Sequence, residues 1–296
     1  MINHLTTETR NQNTMKLDDM STKEFLHVMN KEDQQVPLAV EKEIDSIENA
    51  IRLVVDSFNN GGRLIYIGAG TSGRLGILDA VECRPTFGIE FEKVRGIIAG
   101  GDHAIIKAVE GAEDKPEDGA TDLKELKLTN NDTVIGLAAS GRTPYVLGGL
   151  QYAKQLGAHT ISVACNKKAE ISRFADIAIE VVVGPEVITG STRLKSGTAQ
   201  KLIVNMISTG AMVGIGKVYE NLMVDMQLTN QKLVDRAKNI IALATGVTRE
   251  QAEEHLKNSL YKPKVAIVMI EKRCSMEEAE TSLQSANGFV REAIRT

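Results

Sequence analysis

The sequence predicts an α/β fold, a parallel sheet flanked by helices, with a helical segment before it and a small helical module after it. Short runs rich in Val, Ile and Ala alternate with longer helical stretches from Arg63 onward: "RLIYIGA", "VRGIIAGG", "DTVIGLAAS", "HTISVAC" and "IAIEVVV". These runs are almost continuously apolar, as strands covered on both faces by helices must be. On either side of this region the apolar residues recur instead at the spacing of amphipathic helices.

The elements follow in order. Residues 1–60 read as an N-terminal helical segment, with "STKE" at 21–24 as a capping box. From Val40 apolar residues recur at helical spacing through Ile44, Ile47, Ile51, Val54, Val55 and Phe58, and "NNGG" at 59–62 stops the helix. Residues 61–229 hold the five strand-like runs, and Pro85 is expected to end the helix that follows the first of them. "NMISTGAMVGIG" at 205–216 reads as a buried core helix rich in small residues. Residues 230–296 form the helical module, where Thr248 and Ser275 are expected N-caps.

With 42% apolar and 25% charged residues among 296, the chain can bury a sizeable core. A net charge of -4 supplies no positive field for a phosphate backbone, so nucleic acid is not an expected partner. The N-terminus has no apolar signal-peptide core, and runs such as "VAIVMI" at 265–270 are too short to span a bilayer. No membrane partner and a cytoplasmic location are therefore expected. Cys83, Cys165 and Cys274, odd in number and scattered, suit a reducing compartment. His4, His27, His103, His159 and His255 lack second ligands at i+3 or i+4, and no metal is expected.

"IYIGAGTSGR" sets Gly68, Gly70 and Gly73 in G-x-G-x-x-G spacing after a strand. The glycines favour an anion at a helix N-terminus but do not choose between a dinucleotide and another phosphate. A dinucleotide site also needs a carboxylate at the end of the second strand; that strand ends in "IIAGG", and Asp102 comes too late. The strand, turn and Ser-Gly-Arg recur in "TVIGLAASGR", and a third strand leads through "GPEVITG" into "STR". Thr71, Ser72, Ser140 and Thr143 thus place hydroxyls on two turns expected side by side, which suits a phosphate monoester. Taken singly, each is also an ordinary helix N-cap. Ser72, Ser140 and Thr143 are assigned to the phosphate, with Thr71, Gly73 and Gly141 shaping the turns. Arg74 and Arg142 either add charge-assisted bonds or face solvent.

"GAGTSGRLGILDAVECRPTFG", "AVEGAEDK", "GLAASGRTPYVLGGLQYAKQLG" and "TGSTRLKSGTAQKLIVNMISTGAMV" resemble the N-acetylmuramic acid 6-phosphate etherases of the sugar isomerase (SIS) domain superfamily. The likeness runs from "TTETRNQNTMKLDDMS" through "VPLAV" and "NLMVDM" into the C-terminal module. It implies a lyase that cleaves a lactyl ether to N-acetylglucosamine 6-phosphate and D-lactate by elimination and then hydration. It also implies a homodimer, a phosphorylated amino sugar as the small-molecule partner, and no metal or organic cofactor. By resemblance Glu82 matches the proton donor and Glu113 the second acid/base residue, with Glu110 its competitor; burial is one way to tune such carboxyls. Glu186 matches a position near the sugar in related isomerases, with Ser191 and Thr192 following it onto the next helix as substrate-binding residues. Cys83 reads as a packing residue. Two other readings on this scaffold are an aldose-ketose isomerase, which would release no lactate, and a noncatalytic sugar-phosphate sensor, which Glu82 and Glu113 disfavour.

Overall fold

Residues 5–295 are described by a computed structural model, and His4 lies outside the described residues. Short 3-10 turns occupy the first stretch, followed by α1 (Thr22–Asp33), α2 (Gln35–Glu41) and α3 (Ile44–Asn59). The capping box at α1 is present, the Ser21 hydroxyl accepting from the Glu24 N–H while the Glu24 carboxylate accepts from the Ser21 N–H. The apolar stripe expected from Val40 is divided: α2 ends at Glu41, the Glu43 N–H bonds to the Val40 carbonyl, and α3 begins at Ile44.

The α/β region then runs β1 (Leu64–Gly68), α4 (Gly70–Phe87), β2 (Val94–Ile98), α5 (His103–Ile106), α6 (Pro116–Glu125), β3 (Thr133–Leu137), α7 (Pro144–Leu156), β4 (His159–Ala164), β5 (Ile177–Glu180) and α8 (Lys195–Gly214). The strands form one parallel sheet in the order β2-β1-β3-β4-β5. The central strands β1 and β3 are buried at every residue, whereas the edge strands β2 and β5 are only partly covered. The even apolarity of the sequence runs is thus explained by helices on both faces at the centre of the sheet.

Register sorts the side chains. Ile65 pairs with Val134 and Ile67 with Gly136, and these positions share a face with Val146 and Leu150 of α7 and Leu123 of α6. Tyr66 alternates to the opposite face, where its hydroxyl donates to Asp79 of α4 at 2.8 Å. Asp79 in turn accepts from Asn205 (2.7 Å) and Ser208 (3.0 Å) of α8, so a buried carboxylate joins strand, α4 and α8. On the same sheet, Ser57 of α3 and Thr133 share a hydroxyl hydrogen bond of 2.7 Å.

Pro85 does not end α4, contrary to the expectation from sequence. It sits inside the last turn, where only one backbone bond is forgone, and the helix stops at Gly88, whose N–H bonds to the Arg84 carbonyl and whose φ is +62°.

By contacts the chain divides into two units, Met1–Ala80 with Glu92–Ser208, and Val81–Phe91 with Thr209–Thr296. The first holds the sheet. The second contains a two-stranded antiparallel hairpin, β6 (Val218–Tyr219) and β7 (Leu222–Met223). It also contains helices α9 (Gln231–Thr245), α10 (Arg249–Asn258), α11 (Pro263–Lys272), α12 (Met276–Ser285) and α13 (Val290–Arg295). Its core includes Ile240, Ile241, Leu256, Val265, Ile267, Val268 and Leu283. Thr248 and Ser275 form capping boxes with Gln251 and Glu278. Among the described residues no helix is long and apolar enough to cross a membrane.

Candidate functional site

The strand order makes β1 and β3 neighbours, although β2 lies between them in sequence. This is the reversal point of a doubly wound sheet, where open α/β folds have their ligand crevice at the carboxyl ends of the strands. Gly68 and Leu137 are the last paired residues, so the segments that leave them, 69–73 entering α4 and 138–143 leading to α7, lie next to each other. The first carries Thr71, Ser72 and Gly73, and the second Ser140, Gly141, Arg142 and Thr143. At Gly73 an added Cβ would come within 2.9 Å of the Gly68 carbonyl oxygen; at Gly141 φ is +73°.

The hydroxyls are not spent on capping. Ser72 is buried and donates to Oε1 of Gln200 in α8 at 2.9 Å. Thr143 holds the N-cap position of α7 without a side-chain capping bond, and Pro144 follows it at the first helical position. The Ser140 hydroxyl accepts from the Arg142 N–H at 3.3 Å. Asn166 supports this turn, donating to the carbonyls of Ala139 (3.2 Å) and Ser140 (3.3 Å) and to the Thr7 hydroxyl (3.2 Å). The N-terminal segment is therefore stitched to the second turn.

The third turn is built differently from the first two. Glu186 is fully buried, and its carboxylate accepts from the N–H groups of Lys195 and Ser196, each at 2.9 Å, capping α8. Ser191 and Thr192 precede the helix rather than lying on it, because α8 begins at Lys195. The Thr192 carbonyl and the Thr71 methyl both flank Gly197, 3.4 and 3.5 Å from where its Cβ would stand.

The arginines have protein partners. Arg74 donates to the carbonyls of Ala104 and Ile105, each at 2.7 Å, and so fastens α5 to α4. Arg142 donates to Glu170 at 2.9 Å and lines a cleft of about 410 Å³ with Thr6, Ser140, Lys167 and Lys168.

Glu113 lies in a 3-10 turn, Ala112–Asp114, entered through Gly111 at φ +71°. It lines a second cleft of about 260 Å³ together with Ala69, Gly70 and Arg74 of the first Ser-Gly-Arg turn, and Glu110 lines the same cleft. Glu82 is on α4 within the other contact unit, and its carbonyl accepts from the Thr86 hydroxyl at 2.8 Å. Both carboxylates are exposed rather than buried. Cys83 is buried, and Cys165 is too; burial pushes its thiol up to about 12.

Reasoning from sequence missed three features: the Ser72–Gln200 bond, the Asp79 network, and a buried ion pair between Lys195 at the start of α8 and Glu32 of α1, 2.7 Å apart. Burial works against the charge of Glu32, but bonds from Lys195, Asn13 and Asn11 outweigh it and hold its carboxyl below the usual range. The available signal was polar residues set in the small-residue stretch "LKSGTAQ". Among the described residues no group of three or more His, Cys, Asp or Glu could hold a metal ion.

Residues 116–209 match the profile of the SIS domain, residues 46–154 that of the glucokinase regulatory protein N-terminal SIS domain, and residues 220–266 that of the C-terminal lid domain of glucokinase regulatory protein. A phosphoheptose isomerase structure from Francisella tularensis shares the fold, with a TM-score of 0.51 and 18% identity over 66% of this chain and 100% of that one. The sheet and its paired turns thus define an SIS-type α/β protein. The N-acetylmuramic acid 6-phosphate etherase of Geobacillus sp. (strain WCH70) is 61% identical over 100% of both chains. That of Bacillus cereus (strain AH820) is 59% identical over 99% of this chain and 100% of its own. The chain belongs to the N-acetylmuramic acid 6-phosphate etherase family.

Proposed function

We infer that the chain is a carbon-oxygen lyase that cleaves the D-lactyl ether of N-acetylmuramic acid 6-phosphate to N-acetylglucosamine 6-phosphate and D-lactate. The observation that carries this is identity of about 60% to etherases along the whole chain. The paired hydroxyl-bearing turns at the β1/β3 reversal point support it, since a phosphate monoester needs converging donors.

An ether is a poor leaving group, so elimination is the accessible route. In the open-chain sugar the C1 aldehyde acidifies the C2 proton. A base removes that proton, and the C3–O bond breaks as the lactyl oxygen takes a proton from an acid. Water then adds across the double bond, hydroxyl to C3 and proton to C2. Each positioned acid or base contributes about 10² to 10⁴ in rate.

In this reading Glu82 donates the proton to the leaving oxygen and Glu113 is the second acid/base group; the place of Glu113 in the cleft that Gly70 also lines supports its role. Ser72, Ser140 and Thr143 take the phosphate, Thr71, Gly73 and Gly141 hold the turns, and Arg142 adds charge. Glu186 acts through the cap it sets on α8, beside Ser191 and Thr192. The active form is a cytoplasmic homodimer without a metal or organic cofactor. Its parts are the N-terminal helices 1–60, the sugar-phosphate domain 61–229 and the helical module 230–296.

Purified protein incubated with N-acetylmuramic acid 6-phosphate should release D-lactate in step with substrate loss. Conversion to a ketose phosphate without lactate, or binding without turnover, would overturn the reading in favour of an isomerase or a sensor.

A further inference from the structure

The Ser72–Gln200 bond leaves the site one hydrogen bond short. Gln200 is 1% exposed; its Oε1 accepts from Ser72, while its Nε2 is buried with no partner. One turn back on the same side of α8, the Ser196 hydroxyl is also buried and unpartnered. Buried amide donors are seldom left unpaired. A Gln amide carries two donors and one carbonyl acceptor, and rotation by about 180° about χ3 exchanges its oxygen and nitrogen with little other movement. In the rotated state Nε2 donates to the Ser72 oxygen, and the Ser72 proton is released to point away from α8. The carbonyl that takes the place of Nε2 is the polar group more readily left unpaired in a protein interior.

We propose that Gln200 is the positioning residue of the phosphate site, setting by the rotation of its amide whether the Ser72 hydroxyl donates inward to α8 or outward to the phosphate of the sugar. This rests on the reading that Ser72 contacts the phosphate. In the structure Ser72 donates to Oε1. With an anion at the turn, Nε2 donates to Ser72 and Ser72 donates to a phosphate oxygen, so the unpaired donor becomes a link in the chain. A carboxylate at position 200 could only accept and would hold the Ser72 proton inward.

The test is titration of the full chain with N-acetylglucosamine 6-phosphate, with steady-state kinetics on N-acetylmuramic acid 6-phosphate. The proteins are the wild type, Ser72→Ala, Gln200→Met, Gln200→Glu and the double variant Ser72→Ala/Gln200→Met. A hydrogen bond to a charged group corresponds to about ten- to a hundredfold in affinity. Ser72→Ala, which removes the bond to the phosphate, should weaken binding by that factor and raise KM with kcat held within about twofold. Gln200→Met, which removes a bond between neutral groups, should weaken binding by about two- to tenfold, and the double variant should be no worse than Ser72→Ala alone. Gln200→Glu should lose at least as much as Gln200→Met. Wild-type affinity in Gln200→Met with Ser72→Ala impaired overturns the proposal and leaves the phosphate reading standing; wild-type affinity in Ser72→Ala removes that reading and the proposal with it. Additive losses also overturn it, because Gln200 would then act on its own. Should Gln200→Met fail to fold, the near-isosteric Gln200→Glu decides, and wild-type affinity there is refutation.

Discussion

Arg63 and Asp132 face each other across the amino ends of β1 and β3, joined by two side-chain bonds of 3.1 and 2.8 Å. Asp132 also accepts from the backbone N–H groups of Arg63 and Thr129, each at 2.8 Å. The pair fixes the register of the two strands whose other ends carry the Ser-Gly-Arg turns. Burial opposes the charge on Asp132, but Arg63 and the backbone donors prevail, and its carboxyl is held below the usual range.

A lowered carboxyl pKa in the folded state means that its stabilisation is present above the unfolded value of about 4 and is lost as pH falls through the folded value. Asp132→Ala should cost about 1 to 3 kcal/mol at pH 7, because it takes the acceptor from the N–H groups of Arg63 and Thr129, while the Arg63 guanidinium keeps the carbonyls of Leu126 and Lys127. Urea midpoints measured at pH 7 and pH 3 should differ less for Asp132→Asn than for the wild type. An equal pH dependence in both would show that this pair does not govern acid stability.

Glu82→Ala and Glu113→Ala should each lower turnover by about 10² to 10⁴ while retaining affinity for N-acetylglucosamine 6-phosphate. Glu110, which lines the same cleft as Glu113, is the internal control: Glu110→Ala should stay near wild type. A reversal between Glu110 and Glu113 in D-lactate release would transfer the second role to Glu110.

Glu186→Ala removes both acceptors from the first N–H groups of α8 and should destabilise the protein by about 2 kcal/mol. Chemical denaturation reads this directly, and an unmoved midpoint would refute the cap's contribution.

Gly148→Ala would place a Cβ 1.8 Å from the Pro116 carbonyl oxygen, where α6 crosses α7. Backbone on both sides leaves no flexible end to yield, so the loss should reach about 1 to 3 kcal/mol or more. A thermal midpoint equal to the wild type would mean that the two helices can separate at no cost.

Cys165 should resist alkylation in the native protein at pH 8, since its buried thiol, pushed up to about 12, supplies almost no thiolate. Peptide mapping after brief iodoacetamide treatment checks this; labelling at Cys165 without unfolding would contradict it.

The parts of the fold legible in the sequence are those set by local physics. Apolar runs marked all five strands because the sheet is covered on both faces at its centre, and the capping boxes at Ser21, Thr248 and Ser275 follow from residue spacing alone. Adjacency of the two Ser-Gly-Arg turns was expected from their repetition and is realised because β1 and β3 pair. Pro85 misled because a proline near the end of a helix forgoes little, and no local rule says how far it stands from that end. For Arg74 the sequence leaves an anion contact and a solvent-facing side chain both open; its carbonyl partners lie about 30 residues on, at Ala104 and Ile105. Gln200 was invisible for the same reason: Ser72 lies 128 positions away.

The Lys195–Glu32 contact gives the leading helices a cost of removal. Lys195 is almost wholly enclosed, and its ammonium pairs with Glu32 of α1, while Asn11 and Thr14 tether the same segment to the carbonyls of Pro185 and Val187. Shortened forms lacking the first 33 residues would leave an ammonium marooned at the start of α8, so trimming the chain to its SIS region should yield a protein that fails at that helix rather than a smaller working one.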